Sequence, residues 1–196
     1  MTSPQEHDSG KSALRERLLA RRGARPEAER AAASAAVAAA LLQGLAGVRT
    51  FAAYVPEEME PGHGRLPAAF TQLGARVLLP VVAEGRQLEW AVDSGRLAPG
   101  RFGLLEPVGP RLGPTAIGTA EVIVVPALAV ARDGVRLGRG GGYYDRALLH
   151  AGVDAVVVAL VFDEEFLDDL PSAPHDRRVH AAVTPSGGWQ ALPMSH

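Results

Sequence analysis

The chain has 196 residues, a formal net charge of −2 at pH 7 and 47% hydrophobic residues, enough for one domain with a sizeable core. It contains no cysteine, which excludes disulfides, thiol nucleophiles and cysteine-ligated metals. No apolar run reaches transmembrane length, and the near-neutral charge favours neither nucleic acid nor a membrane surface as partner. We therefore expect a cytoplasmic monomer without a signal peptide.

The N-terminal half combines three helices with three strands. Residues 1–10 are polar and are predicted to form a flexible arm. Leucines at helical spacing predict a helix over 11–22, and Pro26 begins an alanine-rich helix that extends to about Leu45. Further elements are strands at 48–55, 75–82 and 87–92, a short helix at 66–73, and a loop segment rich in Gly and Pro at 94–114.

The C-terminal half repeats the alternation of strand and helix. An apolar strand at 121–130 is followed by a turn at 132–134, a glycine-rich loop, and a helix from Tyr143 to about 150. This helix is followed by a buried strand at 155–162, a helical turn at 166–170 and a last strand at 178–184. The pattern predicts one α/β domain over 11–184 with a mostly parallel sheet, followed by a loose tail at 185–196.

Ligands of such sheets lie at the carboxyl ends of the strands, which points to the loops after 48–55 and 121–126. The second loop belongs to VRLGRGGGYYDRAL at 135–148, where glycines allow a close approach of the backbone to a ligand. Arg136 and Arg139 add donors suited to phosphate, and Asp145 adds a carboxylate suited to magnesium. The loop lacks the Gly-Lys-Ser/Thr of a P-loop and the spacing of the dinucleotide fingerprint, so a solvated surface loop is the alternative.

The longer string VPALAVARDGVRLGRGGGYYDRAL, from Val125 to Leu148, resembles the signature of the 5-formyltetrahydrofolate cyclo-ligase (methenyltetrahydrofolate synthetase) family. The resemblance extends from Lys11 to about Thr184 and implies a three-layer α/β/α sandwich. It also implies a reaction, dependent on ATP and magnesium, that converts 5-formyltetrahydrofolate to 5,10-methenyltetrahydrofolate, ADP and phosphate. In that reaction the formyl oxygen is phosphorylated and N10 of the same folate attacks.

The resemblance assigns a nucleotide site to both ends of the chain. The segment KSALR at 11–15 resembles the family's N-terminal Lys-x-x-x-Arg, and Lys11 is the only lysine in the sequence. The implied ATP-binding residues are Lys11, Arg15, Arg136, Leu137, Gly138, Arg139, Gly140, Gly141, Gly142, Tyr143 and Tyr144. Among these, Lys11, Arg139 and Tyr143 are expected to act in catalysis, with Asp145 holding magnesium.

The folate is expected in the loop after the first strand and beside the glycine loop. EPG at 60–62 resembles the form of that first loop in some members, which assigns the folate-binding carboxylate to Glu60, with Glu57 and Glu58 as rivals. FGLLEP at 102–107 resembles another family element, whose Phe102 either stacks on the pterin or anchors its own loop. The remaining implied folate contacts are Val55, Arg139, Gly140, Gly141, Gly142 and Tyr143.

The chain departs from the family near its last strand. In PHDRRVHAAVT, His180 stands where some members have an aspartate that helps to hold magnesium, and histidine is a poor ligand for this ion. Two other functions stay open. A related protein with the same loop would use ATP on another substrate, and a sugar-phosphate isomerase or nucleotide-binding module would use a similar fold.

Overall fold

The structure, a computed structural model, describes residues 4–172 and 177–193. Its α-helices are α1 (Pro4–Ala24), α2 (Glu27–Gly44) and the short α3 (Tyr143–Ala147). The strands are β1 (Thr50–Ala52), β2 (Arg76–Val82), β3 (Leu88–Val92), β4 (Leu97–Pro99), β5 (Leu105–Pro107), β6 (Val122–Pro126), β7 (Ala129–Ala131), β8 (Arg136–Leu137), β9 (Val156–Leu160), β10 (Phe166–Leu167), β11 (Ala181–Thr184) and β12 (Gly188–Ala191). Several 3-10 turns connect them.

The first helix is longer at its N-terminus than the sequence predicted. It begins at Pro4, so residues 4–10, which were expected to lie in a flexible arm, are helical. Proline is favoured in the first helical turn, and the glutamine and glutamate that follow it form helices well. The helix ends at Ala24 because Pro26 disfavours a helical conformation in the residue before it. None of the helices in the described parts of the chain is both long and apolar enough to cross a membrane.

The central sheet has seven strands in the order β12-β11-β9-β6-β1-β2-β3. The five inner strands β11, β9, β6, β1 and β2 are parallel to one another. The two edge strands, β3 and β12, pair antiparallel. The predicted mostly parallel α/β sheet is therefore confirmed. Because β1 leads to β2 on one side and β6 leads to β9 on the other, the direction of winding reverses between β1 and β6.

Alternate residues of the inner strands pack into two separate apolar clusters. On one face, Val122 and Val124 of β6 pack with Val37 and Leu41 of α2. On the other face, Ile123 of β6 packs with the region of α3 and the neighbouring 3-10 turns. Both faces of the sheet are thus covered, which is why these strands are apolar without interruption. The three-layer α/β/α arrangement follows from this covering.

A small three-stranded sheet, in the order β10-β7-β8, differs from the prediction for this region. The apolar run at 121–130 divides into β6 and β7, and β7 pairs antiparallel with β8 around the predicted turn. Residues 166–170 were predicted to form a helical turn, but Phe166 and Leu167 form β10, parallel to β7. The side chain of Leu18 in α1 is buried against this small sheet.

The tail predicted to be loose contains the edge strand β12. Gly188–Ala191 pairs antiparallel with Ala181–Thr184, and Trp189 packs on the cluster that contains α2. A single aromatic side chain thus supplies the apolar contact that a strand of four residues needs. His175 and Asp176, in the segment PHDRRVHAAVT, lie outside the described residues.

Candidate active site

A cavity of about 460 Å³ lies where the winding of the central sheet reverses. The carboxyl ends of β1, β2 and β6 supply its floor, and this is the position at which open α/β sheets bind ligands. Its lining residues are Lys11, Arg15, Tyr54, Val55, Glu57, Glu60, Pro80, Val82, Leu88, Phe102, Leu104, Leu105, Glu106, Pro126, Ala127, Leu128, Arg136, Leu137, Gly138, Arg139, Gly140, Gly141, Gly142, Tyr143, Tyr144 and Asp145. Every residue that the sequence assigned to nucleotide, folate or magnesium is in this set.

The glycine loop depends on glycine at two positions. Gly140 and Gly142 have φ values of +94° and +67°, a left-handed conformation that other residues adopt at a cost. The loop leads into α3, which has only five residues before a 3-10 turn at 148–150. So short a helix has little macrodipole, and the positive charge at this end of the cavity therefore comes mainly from arginines.

Arg136 orients Asp145. The Arg136 side chain is 4% exposed; its Nη1 donates to the Pro126 carbonyl at 3.1 Å and its Nη2 to Asp145 Oδ1 at 2.7 Å. It thus joins the end of β6 to the first turn of α3. Asp145 is 44% exposed and lines the cavity, so the carboxylate is available to a ligand while one of its oxygens is fixed by Arg136.

Helix α1 brings two cations from the start of the chain to the glycine loop. Lys11 and Arg15 are one turn apart on the helix and both line the cavity. The Arg15 Nε donates to the Gly138 carbonyl at 3.0 Å. Residues 123 positions apart in sequence therefore meet at one wall. This wall combines two cations with a glycine loop, a composition suited to a polyphosphate.

Another wall of the cavity is acidic and is joined to the glycine loop by Arg139. The Arg139 Nη1 lies 2.6 Å from Glu57 Oε2, and its Nη2 lies 3.3 Å from Glu60 Oε1. The other oxygen of Glu60 accepts the Glu57 N–H at 3.0 Å. Glu58 is 73% exposed, lies outside the lining set and pairs with Arg30. The geometry thus retains Glu60 and Glu57 as candidates and removes Glu58.

Burial shifts the pKa values of three ionisable side chains in the cavity. Glu60 is 7% exposed, and burial raises its pKa, opposed by the Glu57 N–H and the Arg139 guanidinium. Burial also raises the pKa of Tyr54 and of Tyr144, so that both phenols stay protonated and can donate hydrogen bonds. Tyr54 was not selected from the sequence, although its place at the end of β1 was a usable signal.

A hairpin formed by β4 and β5 closes one side of the cavity. Phe102 lies at its tip, 76% exposed and with a φ of +58°. Of the two roles left open for Phe102, the structure removes that of loop anchor. The anchoring contacts are instead a hydrogen bond of 2.9 Å from the Val82 N–H to Glu106 Oε1, and the packing of Leu104 on the core.

His180 lies away from the cavity. Its Nδ1 accepts the Val157 N–H at 2.8 Å, which requires a neutral ring, and burial lowers its pKa. Among the described residues there is no group of three His, Asp or Glu side chains that would hold a metal ion. An ion bound in the cavity would therefore need some of its ligands from water or from a bound phosphate.

Several apolar residues of the lining were not predicted from the sequence. Pro80, Leu88 and Leu128 line the cavity from three different strands or strand ends. Each belongs to an apolar run that is typical of ordinary core, so only the pairing of the strands brings them to one place. Their contribution is an apolar surface beside the charged walls, suited to a ligand with a flat ring.

Fold and cavity define a three-layer α/β/α protein with a glycine- and arginine-rich pocket at the switch point of its sheet. The model of the 5-formyltetrahydrofolate cyclo-ligase family matches residues 7–185. The chain therefore belongs to the 5-formyltetrahydrofolate cyclo-ligase family.

Individual relatives agree with this assignment. The chain is 45% identical to a 5-formyltetrahydrofolate cyclo-ligase of Mycolicibacterium smegmatis over 188 residues, covering 93% of this chain and 97% of that protein. The solved structure of 5,10-methenyltetrahydrofolate synthetase from Aquifex aeolicus matches with a TM-score of 0.78 and 29% identity, covering 95% and 94% of the two chains. The synthetase from Mycoplasma pneumoniae, at 20% identity and a TM-score of 0.70 over 88% and 96%, supports the fold.

Proposed function

We propose that this protein converts 5-formyltetrahydrofolate and ATP to 5,10-methenyltetrahydrofolate, ADP and phosphate. One observation carries the proposal: a single cavity combines a cationic wall, an acidic wall and an apolar floor. A polyphosphate suits the first wall, and the N–H and amino groups of a pterin suit the second. The membership of the family supports the pairing of these two ligands.

The nucleotide is assigned to the wall made by α1 and the glycine loop. Lys11 offers a compact charge to a phosphate, and Arg15 offers a planar set of donors next to the Gly138 carbonyl. The backbone between Gly138 and Gly142 carries no side chain except that of Arg139, so phosphate oxygens can approach it closely.

The folate is assigned to the wall that contains Glu60. A carboxylate in a mostly buried position accepts hydrogen bonds strongly and discriminates against ligands without matching donors. Val55 and Phe102 offer apolar and aromatic surface to the pterin ring, and Tyr143 stands at the junction with the nucleotide wall. Arg139 contacts both Glu57 and Glu60 from the glycine loop, so it lies between the two assigned sites.

The chemistry required of the protein is modest. The formamide oxygen is a poor leaving group, and transfer of the terminal phosphoryl group of ATP to it creates phosphate, which leaves readily after N10 attacks the same carbon. The barrier is lowered by holding the two substrates together and by neutralising charge. Lys11 and Arg139 are proposed to stabilise the transferring phosphoryl group. No side-chain nucleophile is needed, in keeping with the absence of cysteine.

Magnesium is proposed to arrive with ATP. The donor set fits such an ion in part, since Asp145 offers one half-exposed carboxylate in the cavity. Magnesium commonly keeps several waters and takes phosphate oxygens as further ligands, so one carboxylate is sufficient. When bound, the ion would neutralise charge on the polyphosphate, while Arg136 holds Asp145 in place.

The test uses the near-ultraviolet absorbance of methenyltetrahydrofolate. Purified protein with 5-formyltetrahydrofolate, ATP and magnesium should give a rise in absorbance that is lost when any one component is omitted. Separate titrations of ATP and of folate then identify the alternatives. Binding of ATP without folate would indicate a relative that acts on another substrate, and binding of neither would favour an isomerase.

A further inference from the structure

A buried ion pair between Arg22 and Glu165 lies next to the cavity. Arg22 of α1 and Glu165 are 1% and 2% exposed. The Arg22 Nε donates to Glu165 Oε1 and its Nη2 to Glu165 Oε2, both at 2.7 Å. Burial alone would lower the pKa of Arg22, but Glu165 outweighs it, so that Arg22 is fully charged. Such a pair loses hydration on both sides, which makes a purely stabilising role a weak explanation.

The pair joins α1 to the ends of two central strands. The Arg22 Nη2 also donates to the carbonyl of Ala127 at 2.7 Å, and Ala127 lines the cavity just after β6. Glu165 Oε2 also accepts the Phe162 N–H at 2.9 Å, which fixes the carboxylate just after β9. The guanidinium therefore has a partner in the cavity wall itself, and its acidic partner is held by backbone.

Arg22 shares one face of α1 with the two nucleotide-facing cations. Arg15 and Arg22 are two helical turns apart, about 10 Å along the axis, and Lys11 is one further turn away. Between them, Leu18 packs on the small sheet formed by β7, β8 and β10. Apolar packing of this kind has little directionality, whereas the fork of Arg22 fixes both the rotation and the register of the helix.

We propose that Arg22 is a positioning residue that sets where Lys11 and Arg15 meet the nucleotide. This inference rests on the proposed function. Arg22 and the bond from Arg15 to Gly138 hold the same helix face at two points, so the loss of one lets the helix rotate about the other. The contacts of Lys11 and Arg15 with phosphate then lengthen, while the folate wall, built from β1 and its loop, keeps its geometry.

The test removes the charge pair without leaving a buried charge unpaired. In Arg22→Met/Glu165→Gln both side chains are neutral, and the glutamine oxygen still accepts the Phe162 N–H. Because a buried ion pair is often replaceable at little cost in stability, we expect a melting temperature near that of the wild type. Calorimetric titration with ATP and magnesium should show roughly tenfold weaker binding. The affinity for 5-formyltetrahydrofolate, measured by titration under alkaline conditions that favour the ionised form of Glu60, should change less than twofold.

The neighbouring pair Arg25 and Glu164 provides the matched control. Arg25 directly follows the end of α1 and pairs with the residue beside Glu165, but Glu164 is 30% exposed and neither side chain lines the cavity. Arg25→Gln/Glu164→Gln should leave both affinities within about twofold. Equal losses of ATP and folate affinity in Arg22→Met/Glu165→Gln would overturn the inference, because they would indicate a general loss of structure.

A double-mutant cycle with Arg15→Ala tests whether Arg22 affects ATP binding through helix α1. If Arg22 acts through α1, its loss should weaken ATP binding much less in an Arg15→Ala background than in the wild type. Fully additive losses would overturn the inference while leaving the proposed function intact. Failure of the wild-type protein to bind ATP would overturn both.

Discussion

At the scale of single residues, the site contains an acidic group whose burial disfavours its charged form. Glu60 is nearly enclosed, and burial raises its pKa despite the Glu57 N–H and Arg139. A raised pKa means that the folded protein favours the protonated carboxyl more than the unfolded chain does. At neutral pH the Glu60 carboxyl group therefore reduces the stability of the fold, which is common for groups kept for binding.

Glu60→Gln should weaken folate binding and raise the melting temperature at pH 7. The loss of a charged acceptor is expected to cost about 1.5–3 kcal/mol of binding free energy, roughly ten- to hundredfold in affinity. The gain in stability should shrink as pH falls through the raised pKa of Glu60 and vanish below the ordinary pKa of glutamate, because Glu60 is then protonated in both the folded and the unfolded wild-type chain. Calorimetry and thermal melts across this range measure both effects.

The control for this substitution is Glu58→Gln. Glu58 is close in sequence but exposed, so neither folate affinity nor stability should change measurably. If Glu57→Gln rather than Glu60→Gln abolishes folate binding, the acceptor has been assigned to the wrong one of the two carboxylates that contact Arg139.

Asp145→Asn should reduce turnover by on the order of a hundredfold or more and leave folate affinity within about twofold. The asparagine oxygen can still accept from Arg136, so the fold should persist. Asp168→Asn, at an exposed aspartate paired with Arg132, is the control and should have wild-type turnover. Calorimetry of magnesium alone should give no tight binding, and tight binding without nucleotide would show that the ion has other protein ligands.

At the scale of elements, the strands and loops that have a clear local sequence pattern were predicted, and those that have none were not. The inner strands are apolar runs because both their faces are buried, and the glycine loop is conspicuous because Gly140 and Gly142 need left-handed backbone. The strands β7, β8 and β10 have two or three residues each and carry no periodic signal. Arg22 and Glu165 are 143 positions apart, so nothing local in sequence pairs them.

The hairpin of β4 and β5 is the element whose function is least fixed by packing, since Phe102 is exposed at its tip. Phe102→Ala should weaken folate binding by about 0.5–1.5 kcal/mol, roughly two- to tenfold, through loss of a ring contact with the pterin. ATP affinity and the melting temperature should not change, because the side chain buries little surface in the protein alone.

The control for the hairpin is Leu149→Ala, which removes an exposed apolar side chain outside the cavity and should alter neither affinity. Folate titrations of the two variants under the same conditions make the comparison. Unchanged folate affinity in Phe102→Ala would assign the phenyl ring no part in binding.

At the scale of the whole molecule, the cavity and the contact that covers the edge strand β12 lie in different parts of the central sheet. The cavity lies at β1, β2 and β6, whereas β12 is the far edge strand beyond β9 and β11. That edge is closed by the contact of Trp189 with α2, which joins the C-terminal residues to the N-terminal half of the chain. The tail could not be predicted from sequence because one tryptophan in a polar segment does not indicate which surface it covers.

Gly44→Ala tests this closure. A methyl group at Gly44 would lie 2.2 Å from a carbon of the Trp189 ring, so the ring must move, although alanine is the better helix residue. We expect a loss of about 1–3 kcal/mol in the free energy of unfolding, measured by chemical denaturation, and unchanged affinities for ATP and folate.

The opposite result is expected for Gly23→Ala, within α1. There the added methyl group would make only an ordinary contact of 3.9 Å with Met59, so helix propensity should raise the free energy of unfolding by roughly 0.5–1 kcal/mol.

Trp189→Ala also lowers stability, but it removes the ring that the methyl group of Gly44→Ala would strike. The double variant should therefore be less destabilised than the sum of the two single changes, because both act on one contact. Additive losses would mean that Gly44 is required for a reason other than the space occupied by Trp189.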